Sequence, residues 1–153
     1  MKIIILKGLP ASGKTTWARD YQKKMPNTKR VNKDDLRAML DNSLWSKQNE
    51  VFIVEMRDQI ITECILAGYD VIVDDTNLYL KHEEAIRSLA NYFNQGKIDG
   101  VNVEVEVKEF NTSLAECIRR DSQREGKAHV GEGVITNMYQ QYVKPNQDKQ
   151  ESK

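Results

Sequence analysis

Short apolar runs alternate with longer stretches of helical periodicity along this chain. The first run, Ile3–Leu6, leads into a glycine-containing segment and then a helical stretch from Lys14 to Lys24. The same patterns predict three further strands and five further helices, which are strands Lys29–Asn32, Val71–Val73 and Val101–Val107, and helices Asp34–Leu40, Gln48–Leu66, Leu80–Phe93, Leu114–Arg124 and Val134–Val143. Because strands that alternate with helices imply βαβ crossovers, we predict an α/β fold with a parallel sheet of about four strands flanked by helices on both faces.

Turn and cap signals mark the boundaries of these elements. Gly68 is placed to end the long third helix. Ser113 is placed to cap the predicted helix Leu114–Arg124. The polar, glycine-containing segments 94–100 and 125–133 are predicted as a turn and a mobile loop. Residues 145–153 have no apolar content, so we expect a domain over residues 1–144 and a disordered tail over 145–153.

The composition limits the kinds of binding partner and the cellular location that are expected for this chain. The chain has 153 residues, of which 30% are charged and 39% apolar, which suits one soluble domain. Lysine plus arginine equals aspartate plus glutamate at 23 each, so any nucleic-acid site must be a local basic groove. No apolar run is long enough for a membrane span or a signal-peptide core, which favours a cytosolic protein without a membrane partner. Cys64 and Cys117 are expected to be small buried hydrophobes.

Residues 8–15 read GLPASGKT, a complete phosphate-binding loop that starts directly after the first apolar run. Such a loop needs a buried strand, a glycine turn and a helix start, so that backbone N–H groups and the positive helix end face the phosphates. Lys14 would reach the β- and γ-phosphates of ATP, and the Thr15 hydroxyl would bind Mg²⁺. The predicted nucleotide-binding residues of this segment are Gly8, Pro10, Ala11, Ser12, Gly13, Lys14, Thr15 and Thr16.

A second candidate group lies where the next strand gives way to a helix. Asp34 and Arg37 are three residues apart and share a helix face, while Asp35 points elsewhere and is the better helix cap. A carboxylate near a helix N-terminus stays ionised and can accept a hydroxyl proton, and Arg37 can fork onto a phosphate. The alternative is a capping acid with a surface ion pair.

Two more polar groups are expected near the same ligand edge, because the carboxyl ends of parallel strands meet there. Asp74–Asn77 ends an apolar strand and can support Mg²⁺ or its waters, or form a polar turn without a catalytic role. Arg120 and Arg124 lie on one helix face that runs into the glycine-containing segment 125–133, as a phosphate lid requires. A solvated basic face is the alternative for this arginine pair. His82 and His129 are predicted as surface residues.

Taken together, these segments resemble the kinase domain of phage-type polynucleotide kinases, which belong to the P-loop kinases and phosphorylate 5′-hydroxyl ends. The resemblance runs from Ile3 to about Tyr142. It rests on GLPASGKTTWARD, VNKDDLR, VIVDDTNL and RRDSQREGKAHV.

The resemblance implies roles for individual residues. Lys14 and Thr15 would bind phosphates and metal, and Asp34 would be the general base. Arg37 would engage the phosphate next to the acceptor hydroxyl. The remaining implied roles are acceptor contacts at Lys33, Asp75 and Thr76, a lid arginine at Arg124 and an adenine-flanking residue at Arg120.

Two departures from the family pattern stand out. No D-x-D-G-T phosphatase signature follows the kinase segments. Lys33 also places a point charge where the family has an arginine, which loosens a phosphate contact.

The function expected from the sequence is therefore an ATP- and Mg²⁺-dependent kinase of 5′-hydroxyl nucleic-acid ends, acting in the cytoplasm of a host if the chain is phage-encoded. Lys14, Asp34, Arg37 and Arg124 are its expected catalytic residues. Two alternatives remain open: a phosphotransferase of similar fold with a small-metabolite acceptor, and a module that binds ATP and nucleic acid without transferring phosphate. The sequence does not indicate the oligomeric state.

Overall fold

The fold is described from a computed structural model that covers residues 1–96 and 100–151. The predicted turn over 94–100 lies partly outside these residues. The helices are α1 Lys14–Lys24, α2 Lys33–Asp41, α3 Lys47–Leu66, α4 Leu80–Asn94, α5 Leu114–Ser122, α6 Glu132–Met138 and α7 Lys144–Glu151. The strands are β1 Lys2–Lys7, β2 Thr28–Val31, β3 Asp70–Val73 and β4 Glu104–Glu109.

The four strands form one parallel sheet in the order β2-β3-β1-β4. The central strand β1 is almost wholly buried because helices cover it on both faces, as its continuous run of Ile and Leu predicts. All four strands point the same way, so their carboxyl ends lie along one edge. The predicted fold is confirmed: it is a P-loop kinase-like α/β fold with helices on both faces of a parallel sheet.

Each face of the sheet packs against its own helices. Ile3 and Ile5 face the larger core, which is completed by α2, α3 and α4 through residues such as Ile53, Ile61 and Phe93. On the other face Ile4 and Leu6 pack against Ala18 of α1, with Trp17 and Tyr21 partly buried beside them. The ring centroids of Trp17 and Tyr21 are 4.9 Å apart, so their four-residue spacing serves helix packing.

The last strand begins three residues later than predicted. Val101 and Val103 continue the alternating pattern, but the backbone N–H and carbonyl of Val103 bond to the Asn94 side chain instead of a neighbouring strand. Pairing with β1 starts at Glu104, which lies opposite Lys2. A side chain on α4 therefore sets where this strand starts, which alternation alone does not reveal.

The chain after α6 is helical where a disordered tail was predicted. A π-helical turn, Tyr139–Val143, continues directly into α7, so the prediction is wrong for residues 145–151. Pro145 lies directly after the π-helical turn and has no N–H to donate to the preceding turn. Asn146 Nδ2 donates to the Tyr142 carbonyl and the Tyr139 hydroxyl to Gln147, which fastens the start of the helix.

The two cysteines are free thiols, Cys117 buried and Cys64 partly buried against the larger core, as expected. In the described part of the chain, none of the helices has the length and apolar content needed to cross a membrane.

Asn77 ties the ends of β1 and β3 together. Its buried side-chain amide donates to the Leu6 carbonyl at 2.8 Å and lies 3.3 Å from the Val73 carbonyl. Its backbone has a φ of 47°, a left-handed conformation that asparagine tolerates better than most residues. The adjacent Thr76 carbonyl accepts from the Gly8 N–H at 3.0 Å, so this segment also holds the start of the phosphate-binding loop.

We expect Asn77→Ala to lower the free energy of unfolding by about 2–4 kcal/mol, because it leaves a buried carbonyl unpaired and keeps a strained φ. Chemical denaturation measures this change. Asn91→Ala, on the exposed side of α4, is the control and should stay within about 0.5 kcal/mol of the unaltered protein. Equal effects of the two substitutions would contradict a structural role for the Asn77 amide.

Candidate active site

The phosphate-binding loop connects β1 to α1 at the carboxyl edge of the sheet. Gly8 allows a close approach, because a Cβ there would come within 2.9 Å of the Phe110 carbonyl and the Ser12 hydroxyl. Ala11 and Gly13 have positive φ values of 61° and 99°, which curl the loop around its interior. Gly13 caps α1 with its N-terminal N–H groups at the loop. Of the other predicted nucleotide-binding residues, Pro10 and Ser12 are buried, Thr15 is partly exposed and Thr16 is exposed.

Lys14 is folded into this loop. Its Nζ donates to the Gly8 carbonyl at 2.9 Å, the Leu9 carbonyl at 2.6 Å and the Ser12 hydroxyl at 3.3 Å. Burial lowers the pKa of the amine to about 8, against the opposing charge of Asp74. The Lys14 amine therefore lies inside the loop, where it can give up its hydrogen bonds to the carbonyls and form bonds to phosphate oxygens instead.

The segment after β3 carries two buried carboxylates. Asp74 Oδ2 accepts from Arg30 Nε at 2.7 Å, and Asp75 Oδ1 accepts from the Lys33 backbone N–H at 2.9 Å. Burial raises the pKa of Asp75, although the Lys33 N–H and the charges of Lys33 and Arg57 oppose it. Thr76 is partly exposed beside these acids. The acids lie close enough to Lys14 for their charges to act on its pKa, so they border the phosphate-binding loop.

The carboxylates of Asp74 and Asp75 also determine whether the site suits a metal ion. Asp74 Oδ1 and Asp75 Oδ2 are buried and have no hydrogen-bond partner among the described residues. Carboxylate oxygens without a hydrogen bond suit Mg²⁺, which binds through one or two protein ligands and otherwise keeps waters and phosphates. Asp75 Oδ2 also lies 3.9 Å from Arg57 Nη1, so Asp74 Oδ1 is the less engaged of the two oxygens. Within residues 1–96 and 100–151 no three His, Cys, Asp or Glu side chains form a complete metal cage, and a magnesium site of this kind requires none.

The start of α2 differs from the prediction in its cap. Asn32, not Asp35, is the capping residue, since its side-chain oxygen accepts from the Asp35 N–H at 2.9 Å. Asp35 instead pairs with Arg30 Nη1 at 2.7 Å. Asp34 is left with an 85% exposed side chain that contacts Arg37 Nη1 one helical turn later. The prediction that Asp35 caps this helix is therefore wrong, while the role of Asp34 stays a prediction.

Glu50 is a site residue that the sequence interpretation missed. Its carboxylate receives Arg37 Nε at 2.8 Å, Arg37 Nη2 at 2.9 Å and Lys33 Nζ at 3.1 Å. Burial would raise the pKa of Glu50, but the hydrogen bonds from Arg37 and Lys33 outweigh it and lower the pKa. The same bonds raise the pKa of Arg37. Glu50 is near the start of α3, so only the packing of α3 against α2 reveals its role.

Arg57 is a second missed residue. Its side chain is buried on α3, bonds to Asp58 at 2.8 Å and lies 3.9 Å from Asp75. A buried guanidinium beside a buried acid helps to keep Asp75 ionised, because an opposite charge favours the charged form. The sequence places Arg57 among other polar residues of α3, so its burial is visible only in the structure.

The two arginines predicted to belong to a lid are Arg120, in α5, and Arg124, just after it. Arg120 Nη1 comes within 3.8 Å of the position of a Gly13 Cβ, and its Nε donates to Glu116 at 2.7 Å. Arg124 is exposed, lies 3.7 Å from Asp121 and acts electrostatically on Lys14. Both predicted lid arginines therefore lie on the side of the phosphate-binding loop.

Asp121, which the sequence interpretation also missed, holds the end of the segment predicted as a lid. Its buried carboxylate accepts from the Val130 N–H at 3.0 Å and the Gly131 N–H at 2.8 Å, and His129 Nδ1 lies 3.1 Å away. Burial acts to raise the pKa of Asp121, but the two backbone N–H groups and His129 outweigh it and lower the pKa. His129 is thus exposed but in contact with Asp121, while His82 is half-buried instead of lying freely on the surface.

Comparisons with known proteins agree with this architecture. The model of the AAA domain family AAA_33 matches residues 3–145. A curated relative, L-seryl-tRNA(Sec) kinase of Methanococcus maripaludis, is 30% identical over 146 residues, which cover 94% of this chain and 53% of the relative.

Two solved structures illustrate the range of similar folds. A chain in the structure of the Pnkp1/Rnl/Hen1 RNA repair complex has a TM-score of 0.78 and 25% identity, covering 97% of this chain and 45% of that one. The Mycobacterium tuberculosis APS kinase CysC, solved with AMPPNP and APS, has a TM-score of 0.62 and 21% identity, covering 80% of this chain and 69% of that one. This chain spans about half the length of the curated relative and of the RNA repair chain.

The lowered pKa of Lys14 predicts that ATP binding takes up a proton in mildly alkaline solution. With a pKa of about 8, roughly three quarters of the molecules carry a neutral Lys14 at pH 8.5, and about a tenth at pH 7. Phosphate oxygens favour the charged amine, so MgATP binding should take up on the order of half a proton at pH 8.5 and far less at pH 7.

Titration calorimetry in buffers of different ionisation enthalpy measures this uptake. Lys14→Arg is the control, because an arginine stays charged and takes up no proton. The same proton count at pH 7 and pH 8.5 in the unaltered protein would refute the buried, partly neutral Lys14.

Proposed function

This chain belongs to the AAA domain family AAA_33, and from that premise we propose that it is an ATP-dependent kinase of 5′-hydroxyl ends of DNA or RNA. The observation that carries the proposal is the exposed carboxylate of Asp34, held by Arg37 on a helix whose start bonds to Asp75 beside the phosphate-binding loop. This arrangement supplies a proton acceptor and a phosphate-binding cation on the acceptor side. The resemblance to phage-type polynucleotide kinases described above assigns the same roles to both residues.

The donor half of the reaction rests on the loop and the lid. The N–H groups around Gly13 cradle the phosphates of ATP, and Lys14 turns from the Gly8 and Leu9 carbonyls to the β- and γ-phosphates. Arg124 neutralises charge on the transferring group, and Arg120 flanks the adenine. Thr15 would hold Mg²⁺, with a carboxylate oxygen of Asp74 or Asp75 available to the ion or its waters, and the ion would supply neutralisation of the phosphate charge.

Asp34 performs the acceptor chemistry. Its carboxylate accepts the proton of the 5′-hydroxyl as the oxygen forms a bond to the γ-phosphorus. The bond from that phosphorus to the bridging oxygen breaks on the opposite side, and ADP leaves with the electron pair. The exposure of Asp34 keeps it accessible to a large acceptor that approaches from solvent.

Arg37 and Lys33 position the acceptor strand through its first phosphate. Glu50 holds the Nε and Nη2 edge of Arg37 and Asp34 contacts Nη1, so one N–H each on Nη1 and Nη2 is left to donate to a phosphate. A guanidinium fixed on one edge by a carboxylate offers the other edge to a phosphate at little entropic cost. Glu50 is therefore a positioning residue that acts through Arg37.

A second acceptor class has specific support. The L-seryl-tRNA(Sec) kinase relative points to a hydroxyl carried on a tRNA, while the RNA repair complex points to a nucleic-acid end. A phosphotransferase for a small metabolite would use the same donor half, and a binding module would need no base at Asp34. These alternatives differ in the acceptor they require.

Transfer of labelled γ-phosphate from ATP to a 5′-hydroxyl oligonucleotide, with Mg²⁺ present, tests the proposal. Asp34→Asn should lower kcat by on the order of 10²–10⁴-fold, because general-base removal has effects of this size, while ATP affinity stays unchanged. Asp35→Asn is the matched control, since the neighbouring acid pairs with Arg30, and its kcat should stay near that of the unaltered protein.

Several outcomes would count against the assignment. Transfer to seryl-tRNA or to sugars and nucleosides, with none to 5′-hydroxyl DNA or RNA, would replace it by one of the other kinases. ATP and oligonucleotide binding without any transfer would favour the binding module. Equal kcat values for the Asp34 and Asp35 variants would remove Asp34 as the base.

Glu50→Gln should raise the KM for the oligonucleotide by on the order of tenfold, because it weakens the charge-assisted bonds that orient Arg37. The KM for ATP should not change. Glu55→Gln, on the exposed side of the same helix, is the control. An oligonucleotide KM that falls in Glu50→Gln would mean that Glu50 competes with the acceptor phosphate instead of orienting Arg37.

A further inference from the structure

Three aromatic rings form a row beside the acceptor side of the fold. Tyr79, at the start of α4, lies 5.6 Å from the His82 ring in an edge-on contact and 6.0 Å from the Tyr142 ring. Tyr79 is 42% exposed although it is large and aromatic. None of these contacts is needed for the phosphate-transfer chemistry described above.

A π-helical turn in the backbone places the ring of Tyr142 next to that of Tyr79. Tyr142 belongs to the π-helical turn Tyr139–Val143, which widens the helix between α6 and α7. Turns of this kind are rare and occur mostly at functional sites, because they re-aim side chains that a regular helix would direct elsewhere. Here the turn brings a tyrosine from the C-terminal helices against one at the end of the β3 segment.

The row runs towards the residues that would hold the acceptor. His82 is close enough to Lys33, Arg57 and Glu50 for their charges to act on it, and burial lowers the pKa of its ring. The ring at the inner end of the row therefore borders the Arg37–Glu50–Lys33 group. The two tyrosines lie farther out, on the way to solvent.

The charges around the tyrosines suit a phosphate backbone. Lys81 Nζ lies 5.8 Å from the centroid of the Tyr79 ring, and Lys144 follows Tyr142 by two residues on an exposed surface. The nearby acid Glu83 is already bound by Lys7 and Arg87. Aromatic faces with lysines beside them are the combination by which proteins bind single-stranded nucleic acid without reading its sequence.

A depression adjoins the outer end of the row. It has a volume of about 290 Å³, and its lining includes Leu78, Tyr142, Val143 and Asn146. The walls are mixed: Leu78 and Val143 are apolar, Asn146 and Gln147 carry amides, and Lys7 and Glu109 carry charges. The apolar surface and the amides suit the faces and edges of an unpaired base. The tyrosine pair therefore has space beside it for a base to leave the strand.

We propose that Tyr79 and Tyr142 form a stacking platform for the unpaired bases that follow the 5′-terminal nucleotide of the acceptor, so that the preferred substrate is a single-stranded end. The inference rests on the proposed kinase function and makes it more specific. Bases in a duplex are stacked on each other and cannot lie on the tyrosines, so a paired end gains nothing from the platform. His82 supports the Tyr79 ring from behind and needs no contact with the acceptor.

Two measurements on the same ligands test the platform: anisotropy of a 3′-labelled 5′-hydroxyl hexanucleotide, and γ-phosphate transfer to it. The hexanucleotide should bind roughly tenfold more tightly than a dinucleotide, and Tyr79→Ala or Tyr142→Ala should remove most of that difference. Tyr79→Phe should retain it, because the ring face remains. Tyr92→Ala is the control, an exposed tyrosine about 20 Å away at the other end of α4, and should have no effect.

The unaltered protein provides a test that does not depend on the folding of a variant. Abasic sites at the second and third nucleotides should weaken hexanucleotide binding as much as Tyr79→Ala does, and the same strand recessed in a duplex should bind like the dinucleotide. Binding that is indifferent to abasic sites and to strand pairing would overturn the platform.

The two readouts separate this inference from the proposed function. Transfer to the hexanucleotide that is unaffected by Tyr79→Ala and by abasic sites would overturn the platform and leave the kinase in place. Binding that depends on Tyr79 but leads to no transfer would support the platform and overturn the kinase. A protein that neither binds nor phosphorylates the hexanucleotide contradicts both.

Discussion

The polar run Asp74–Asn77 is the constraint on which the rest of the structure depends. Each of its residues bonds to a different part of the carboxyl edge of the sheet. Asp74 accepts from Arg30 of β2, and Asp75 accepts from the Lys33 N–H at the start of α2. The Thr76 carbonyl accepts from the Gly8 N–H, and the Asn77 amide donates to the Leu6 carbonyl near the end of β1. Buried polar groups are stabilising only when they are paired, so these bonds fix the relative positions of three strand ends. The donor loop and the acceptor helix are thereby parts of one rigid edge.

The hydrogen bonding of this polar run is incomplete at Asp74 and Asp75, which border the phosphate-binding loop. One oxygen each of Asp74 and Asp75 is buried without a hydrogen bond among the described residues, and burial raises the pKa of Asp75. Lys14 is buried with a pKa lowered to about 8. Buried titratable groups with shifted pKa values that lie close together are typical of functional sites, which supports the placement of the proposed donor site here.

The sequence predicts the elements of this fold and the identity of its loop, because strand and helix periodicities and the glycine-lysine spacing are local signals. It misses features that depend on tertiary contacts. The cap at Asn32 competes with a plausible cap at Asp35, and only the pairing of Asp35 with Arg30 decides between them. Glu50 and Asp121 are distant in sequence from the groups they orient, and the helix after residue 144 is stabilised by bonds to the turn before it.

The central claim is that the exposed acid of α2 completes a phosphoryl-transfer site whose other half is the loop. A crystal structure with a non-hydrolysable ATP analogue, Mg²⁺ and a 5′-hydroxyl oligonucleotide tests it most directly. The account predicts an Asp34 carboxylate oxygen about 2.6–3.2 Å from the 5′-oxygen, with Lys14 Nζ moved from the Gly8 and Leu9 carbonyls to the phosphates. A 5′-oxygen bound away from Asp34, with Asp34 still turned to solvent on Arg37, would contradict it.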